Sequence, residues 1–253
     1  MPTLIGLSYS PWTQKARWAL EHHRVRHRFV QYTPMAGEPL LRLAARRLRG
    51  KVSVPLLLDG TEVIQDSMRI ARYAESIGAG TPLFPPACEA DVARWNERSE
   101  QVLATGRAIF TIRLGDDPDA LAEAVPGALR ALLGPLAVPV ARLGNRFVQG
   151  KYGVAQGDLA VLRDELSSTF DALRAALAGG RPTLLEPGFT YADIAMAVTL
   201  QLLAPVDALG ARLGPASRAA WGDPELAQRY SDLVAWRDQL YRDYGAYFAS
   251  HTS

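Results

Sequence analysis

The sequence contains few of the side chains that build disulfide scaffolds or metal centres. Its 253 residues include one cysteine and four histidines. Cys88 has no second cysteine with which to form an intramolecular disulfide, and no Cys/His spacing matches a metal site. We therefore expect neither a disulfide nor a metal ion, and we interpret Cys88 as a structural residue.

Long apolar stretches are missing as well. No run of about 18 apolar residues is present, which argues against a transmembrane helix. The N-terminal segment MPTLIGLSYSPW lacks the basic region and apolar stretch of a signal peptide. Hydrophobic residues make up 48% of the chain and the mean hydropathy is -0.03, values typical of a globular protein. The expected location is the cytoplasm, without membrane contact.

Charge is balanced rather than concentrated. The formal net charge is +2, and the arginines are interspersed with acids. The densest run, Arg42, Arg46, Arg47 and Arg49, has the helical spacing of one solvated face. No aromatic platform accompanies it, so we expect no nucleic-acid partner.

Residues 1–77 alternate between strand and helix patterns. The periodicities predict the order βαβ, then α, then ββα, with Asp59-Gly60 as the turn of a hairpin. A strand, a helix and a strand in succession imply a parallel pair with a right-handed crossover. The individual predictions are strands at 3–7, 27–32 and on both sides of the turn, and helices from Trp12, over 39–49 and over 67–77.

Two helices have predicted faces that the structure can check. In the first helix, Trp12 and Ala16 are expected to face inward, and Lys15, Arg17 and Glu21 outward. In the helix over 39–49, the apolar side chains expected to face inward are Leu40, Leu41, Leu43, Ala44 and Leu48.

The chain after residue 77 changes character. Residues 78–89 include the Gly/Pro-rich segment GAGTPLFPPA and are the predicted linker, and residues 90–253 are predicted to be all helical. Three prolines require the stretch 118–147 to be kinked or split. Further helices are predicted over 91–114, 159–177, 194–203 and 224–241, followed by an aromatic tail with Tyr244, Tyr247 and Phe248. Trp18 and Trp95 are expected in the core or between domains.

Three turns contain residues that suit ligand binding. Ser10-Pro11 begins a helix, and a helix N-terminus stabilises an anion through its free N–H groups. Val54-Pro55 begins a strand, where a cis bond would leave the Val54 backbone free to pair with an extended ligand. In Gln65-Asp66-Ser67, Ser67 is predicted to cap the next helix beside an acidic neighbour. Plain helix caps and a plain strand-start proline remain the alternative readings.

The order of these turns resembles a known family. The segments SYSPWTQKARWAL, VSVPLLLDG and VIQDSMRIARYAES resemble the N-terminal thioredoxin-fold domain of the cytosolic glutathione transferase superfamily. The helical remainder is similar to the second domain of that family, and FTYADI (189–194) matches its capping box and hydrophobic staple. The resemblance implies an α/β thioredoxin-like domain (βαβ-α-ββα) at 1–77 followed by an all-α C-terminal domain.

The resemblance also implies a glutathione site. Asp66 and Ser67 would hold the γ-glutamyl end, Val54 would pair with the cysteinyl backbone, and Lys51 would reach the glycyl carboxylate. Pro55 would be cis, and Gln65 would line the same pocket. Ser10 aligns with the thiol-activating serine, while Tyr9 and Ser8 compete with it for that role. The candidates for the electrophile pocket are Trp12, Arg107, Phe110 and Arg113.

The leading hypothesis is a transferase that activates the glutathione thiol for attack on a small hydrophobic electrophile. A glutathione-dependent isomerase, dehalogenase or peroxidase would use the same site, and a non-catalytic binding module of this fold is the alternative from another class. Serine at the position of the thiol-transferring cysteine argues against disulfide chemistry. Glutathione is the expected co-substrate, and the resemblance implies a homodimer.

Overall fold

The computed structural model describes residues 1–154, 157–186, 188–206 and 213–245. Its N-terminal part has the predicted order βαβ-α-ββα. The elements are β1 (Thr3–Gly6), α1 (Pro11–His22), β2 (Arg28–Gln31), α2 (Glu38–Ala44), β3 (Leu56–Asp59), β4 (Glu62–Gln65) and α3 (Ser67–Ile77).

The four strands form one mixed sheet in the order β2-β1-β3-β4. β1 pairs in parallel with β2 (Leu4 opposite Phe29) and antiparallel with β3 (Leu4 opposite Leu57). Gly60 has φ 56° in the turn between β3 and β4, a left-handed conformation that glycine adopts without steric cost. The parallel pair and the hairpin predicted from the sequence are therefore both present.

The helix α1 is buried on more sides than its pattern predicts. Lys15 and Arg17 are expected outside, yet their exposed fractions are 0% and 2%. The reason is that α1 packs against α3 on one side and against the C-terminal helical part on another. Arg17 lies over the Phe29 ring at 4.7 Å, and burial raises the pKa of the neighbouring Glu21 to about 8. The prediction of an outward charged face is wrong for this helix.

The helix α2 also differs from its prediction. It ends at Ala44, and Arg46 then takes a left-handed φ of 53°, so the pattern over 39–49 is not one continuous helix. Only Leu41 and Ala45 of this region enter the core, whereas Leu40, Leu43 and Leu48 are 71%, 69% and 84% exposed. The expectation that these three leucines face inward is therefore wrong.

The rest of the described chain is helical. The long helix α4 (Glu89–Asp116) follows a short 3-10 turn that contains the buried Cys88. No helix among the described residues is long and apolar enough to cross a membrane. The remaining helices are α5 (Pro118–Glu123), α6 (Gly127–Leu133), α7 (Ala137–Tyr152), α8 (Leu159–Ala176), α9 (Tyr191–Ala197), α10 (Pro215–Trp221), α11 (Pro224–Arg229) and α12 (Ser231–Tyr244).

Proline explains where several of these helices begin. The stretch 118–147 is split as predicted, because Pro118 starts α5, Pro126 precedes α6 and Gly134-Pro135 separates α6 from α7. Pro139 stays inside the first turn of α7, where its missing N–H costs no intrahelical bond. The helix predicted over 224–241 is instead divided at Tyr230, and α10 was not predicted.

Two predictions for the C-terminal part of the chain are only partly confirmed. Residues 191–203 are buried as expected, but their second half, Val198–Leu202, is a 3-10 helix. Tyr244 belongs to α12 rather than to a tail, and Tyr247 and Phe248 lie outside the described residues.

Trp18 joins the two halves of the chain. This fully buried residue of α1 contacts the rings of Phe189 and Tyr241 at centroid distances of 5.7 and 5.0 Å. Its indole N–H donates to the Tyr244 carbonyl at 2.9 Å. Trp95 is partly buried against the same cluster. An aromatic core thus holds the sheet domain against the helical domain, as expected for Trp18.

The predicted capping box at the start of α9 is present. Asp193 accepts hydrogen bonds from the backbone N–H of Thr190 at 2.8 Å and of Leu184 at 2.7 Å. Burial raises the pKa of this carboxyl to about 6. Phe189 and Ile194, the predicted staple residues, are both in the core. The box therefore anchors a loop and a helix start in the interior.

We predict that Asp193→Ala lowers the free energy of unfolding by about 2–4 kcal/mol, because it leaves buried N–H donors without an acceptor. The matched control is Asp158→Ala, which removes the exposed cap of α8 and should cost about 1 kcal/mol. Urea unfolding followed by tryptophan fluorescence measures both. Equal losses in the two variants would contradict a special role for the buried box.

Candidate functional site

A cavity of about 660 Å³ lies between the sheet domain and the helical domain. It is bounded by the turn before α1, the segment before β3, the start of α3, and the helices α4 and α7. Of the thirteen candidate residues, Ser8 and Arg113 lie outside its lining. The eleven that line it are Tyr9, Ser10, Trp12, Lys51, Val54, Pro55, Gln65, Asp66, Ser67, Arg107 and Phe110.

Ser10 occupies the N-cap position of α1, as the sequence predicts. Its backbone N–H donates to the Leu7 carbonyl at 3.0 Å, and Pro11 occupies the first helical position. The Ser10 hydroxyl makes no capping hydrogen bond in the described structure, although the residue is only 8% exposed. A hydroxyl donor is thus available to a ligand at the positive end of a helix dipole.

Tyr9 and Ser8, the competing hydroxyls, have different surroundings. Tyr9 lines the cavity and meets the edge of the Trp221 ring at 6.1 Å. Burial raises the pKa of Tyr9 to about 12, so the phenol stays protonated and is able to donate a hydrogen bond at neutral pH. The Ser8 backbone N–H donates to Gln31 at 3.2 Å. Of the three candidate residues, Ser10 and Tyr9 therefore line the cavity, and Ser8 does not.

The Val54–Pro55 peptide bond is cis. Val54 precedes the first paired residue of β3, Leu56, and both Val54 and Pro55 line the cavity. Val54 precedes the paired part of β3, so an extended ligand that lies along this segment would be able to form hydrogen bonds with the Val54 backbone.

The start of α3 differs in one respect from the prediction. Asp66, not Ser67, is the N-cap: its carboxylate accepts the Arg69 backbone N–H at 3.0 Å, and its φ is 83°. Ser67 is instead the first helical residue and is 1% exposed. Its hydroxyl lies beside that of Tyr191 of α9, whose pKa is raised well above its usual value by burial. The start of α3 is thus tied to the helical domain.

The end of α7 closes the cavity opposite α1. Lys51 Nζ lies 4.8 Å from the centre of the Tyr152 ring. One residue earlier, Lys151 donates to the Glu38 carboxylate at 2.6 Å, and Tyr32 donates to the same carboxylate at 2.9 Å. The Lys151 contact attaches the helical domain to α2, and Tyr32 holds the same carboxylate from the segment after β2. Sequence reasoning missed Lys151 and Tyr152, because the stretch that contains them showed no clear periodicity.

A second set of contacts that the sequence analysis did not predict connects α1 with α4. The Glu100 carboxylate accepts hydrogen bonds from the Trp12 indole at 2.6 Å and from Lys15 at 2.5 Å. Burial lowers the pKa of Lys15, and the negative charge of Glu100 opposes that shift. The sequence spacing indicates that Lys15 and Trp12 act together, because residues three apart lie on the same face of a helix.

The structure places Arg113 away from the cavity. Its guanidinium donates to the Gly222 carbonyl at 2.7 Å and to the Asp223 carboxylate at 3.0 Å. Arg107 and Arg113 are six residues apart, about one and two-thirds turns, so they point in different directions from α4. Arg113 therefore links α4 to the start of α11, and the expectation that it lines the electrophile pocket does not agree with its position.

Arg107 and Phe110 do line the cavity. The Arg107 guanidinium carbon lies 4.6 Å from the centre of the Trp12 ring and 4.1 Å from that of Tyr152. Burial lowers the pKa of Arg107. Phe110 meets the Trp221 ring at 4.5 Å in an edge-on arrangement. This half of the cavity therefore combines aromatic walls with a cation.

Comparison with known proteins gives a consistent result. The glutathione S-transferase N-terminal domain matches residues 9–77, and the glutathione S-transferase C-terminal domain matches residues 118–239. A probable glutathione S-transferase of Solanum tuberosum is 30% identical over 82 residues, which span only 36% of that relative and 32% of this chain.

Solved structures are similar over nearly the whole chain. A glutathione S-transferase of Methylobacillus flagellatus with glutathione bound has a TM-score of 0.63 at 15% identity, covering 97% of this chain and 98% of that one. One from Ceriporiopsis subvermispora in complex with glutathione has a TM-score of 0.63 at 18% identity, covering 100% and 99%. At these identities, the likeness establishes the fold.

We predict that Glu100→Gln lowers the free energy of unfolding by about 2 kcal/mol, because the fully buried Lys15 loses its counter-charge, while water reaches the 37% exposed Glu100 side chain. The double variant Lys15→Met/Glu100→Leu should recover most of the loss. Glu89→Gln is the control, since it breaks the exposed Arg72–Glu89 pair and should cost less than about 1 kcal/mol. Urea unfolding measures all three. Equal effects of Glu100→Gln and Glu89→Gln would refute a special role for the contact between the buried Lys15 and Glu100.

Proposed function

Since the chain belongs to the glutathione S-transferase family, we propose that it binds glutathione in the cavity between its domains and activates the thiol as a thiolate. The thiolate then attacks a small hydrophobic electrophile. A sulfur–carbon bond forms, the leaving group departs with its electron pair, and the thiol proton passes to solvent. Detoxification of such electrophiles is the role that this chemistry suits.

One observation carries the proposal: Ser10 lines the cavity at the N-terminus of α1, and its hydroxyl is not used to cap that helix. A free thiol has a pKa near 8.5, so little thiolate exists at neutral pH. A hydroxyl donor and a helix dipole both favour the anion. Lowering the thiol pKa by about 2 units requires roughly 2.7 kcal/mol, which is within reach of these two effects.

The proposed position of glutathione follows the other residues around Ser10. Asp66 and Ser67 would hold the γ-glutamyl end, the Val54 backbone the cysteinyl part, and Lys51 the glycyl carboxylate. Gln65 supports this arrangement, because its Nε2 is buried without a hydrogen-bond partner among the described residues. A polar ligand would supply that partner.

The electrophile would occupy the other half of the cavity. Trp12 and Phe110 provide aromatic surface there, and α4 and α7 add aliphatic side chains. Isomerases, dehalogenases and peroxidases that depend on glutathione begin with the same activated thiol. The second substrate, rather than the thiol site, decides between these reactions, and a binding module without catalysis is an outcome of the following test.

We predict that glutathione bound to the protein shows a thiol pKa about 2 units below that of free glutathione, measured by the ultraviolet absorbance of the thiolate against pH. Ser10→Ala should remove most of this shift and lower kcat/KM toward 1-chloro-2,4-dinitrobenzene by about tenfold to a hundredfold. Tyr9→Phe should change both less than Ser10→Ala does.

Ser8→Ala is the matched control, since Ser8 lies outside the cavity lining. An unchanged thiol pKa and kcat/KM in Ser10→Ala would contradict the proposed mechanism. A strong effect of Tyr9→Phe alone would assign thiol activation to the Tyr9 phenol. Saturable binding without a pKa shift would indicate a binding module, and no binding would remove the glutathione assignment altogether.

We also propose a cytoplasmic homodimer, a further expectation from the resemblance to cytosolic transferases. One chain has a mass of 27.5 kDa. Sedimentation equilibrium should therefore give about twice that mass at micromolar concentration. A mass near that of one chain across the concentration series would refute the dimer and leave the cavity chemistry within a single chain.

A further inference from the structure

The Arg107 side chain is a partly buried cation in the cavity that forms no ion pair in the described structure, although the charge of Glu100 opposes the lowering of its pKa by burial. Its guanidinium lies between the Trp12 and Tyr152 rings, and its Nε is buried without a hydrogen bond among the described residues. Ring faces attract a cation, but they do not replace the in-plane hydrogen bonds of a guanidinium. An oxyanion in the plane of the guanidinium would supply them.

The nearby carboxylates are already engaged. Glu100 accepts from Trp12 and Lys15, and Asp66 caps α3. Glu38, beyond the lining, accepts from Lys151 and Tyr32. None of the three forms an ion pair with Arg107 in the part of the chain that the structure describes.

The charged side chains of the described lining are more often positive than negative. They are the cations Lys51, Arg69, Arg107 and Lys151 and the anions Asp66 and Glu100. In the proposed function, Lys51 serves the glycyl carboxylate and the start of α3 serves the γ-glutamyl end. Arg107, on α4 beside Phe110, is left for the second substrate.

We infer that Arg107 binds an oxyanion of the electrophile, so that the substrate class is an aromatic or planar apolar electrophile carrying a carboxylate or a similar group. This inference rests on the proposed function. The guanidinium fork matches a carboxylate with two parallel hydrogen bonds, and the Trp12 and Tyr152 rings hold that fork in one orientation. The apolar walls receive the ring that carries the leaving group.

A pair of matched substrates tests this inference. 4-Chloro-3-nitrobenzoate carries the anion, and 4-chloro-3-nitrobenzamide has nearly the same shape without charge. In both, the glutathione thiolate forms a bond to the chlorinated ring carbon, and chloride leaves with the electron pair. The readout is the ratio of kcat/KM for the benzoate to kcat/KM for the benzamide at saturating glutathione, in which changes common to both substrates cancel.

Arg107→Gln should lower this ratio at least about tenfold, and Arg107→Lys should retain part of it because the charge remains while the fork is lost. Arg98→Gln is the control: it removes one positive charge from the same helix at an exposed position and should leave the ratio within about twofold. Thermal unfolding of each variant checks that it is folded.

An unchanged ratio in a folded Arg107→Gln protein overturns the inference. If the KM for glutathione rises instead, Arg107 binds glutathione itself, and if only stability falls, its role is packing. If the wild type conjugates neither substrate, the thiolate titration of bound glutathione decides whether the proposed function fails, and binding of the anion tests the inference separately. Calorimetric titration with 3-nitrobenzoate and 3-nitrobenzamide should then show a preference for the anion that Arg107→Gln abolishes, and equal binding of both would overturn the inference.

Discussion

The Glu100 carboxylate is the contact on which the cavity depends most. It receives two donors from α1, the Trp12 indole and the Lys15 ammonium, although it belongs to α4 in the other domain. Lys15 is fully buried, whereas the Glu100 side chain is 37% exposed. The contact sets the position of the α1 N-terminus, with Ser10, relative to the α4 face that presents Arg107. This contact therefore fixes the position of the proposed thiol site relative to the proposed electrophile site, together with the aromatic core around Trp18.

The features that sequence analysis predicted correctly are those determined by local chemistry. The β3–β4 turn needs a residue with positive φ and contains Gly60, and the α9 capping box needs Thr190 and Asp193 three residues apart. Ser10 before Pro11 likewise marks a helix start whatever packs around it. Most of the candidate thiol site consists of such starts and turns, which is why its residues could be named in advance.

The features that were missed depend on contacts between distant segments. Lys15 and Arg17 are charged and were placed outside, but α4 of the second domain covers Lys15, and Phe29 of β2 lies against Arg17 on another side of α1. Of the apolar leucines predicted to face inward, Leu40 and Leu43 lie within α2 but on its exposed side, and Leu48 comes after the helix has ended. Arg113 lies on the expected helix, but it is about one and two-thirds turns beyond Arg107. Its side chain therefore points to Asp223 and not into the cavity. Spacing along one helix does not show what packs against it, so the far half of the cavity required the structure.

Trp12 has a further property because of where it lies. One edge of its indole donates to a carboxylate, and a guanidinium lies over its ring face. Two opposite charges fixed around one chromophore create a strong local electric field, and indole emission responds to such fields. An anion that neutralises the guanidinium changes the field along the ring, so that the wall of the cavity also acts as an intrinsic optical sensor of the charge inside it.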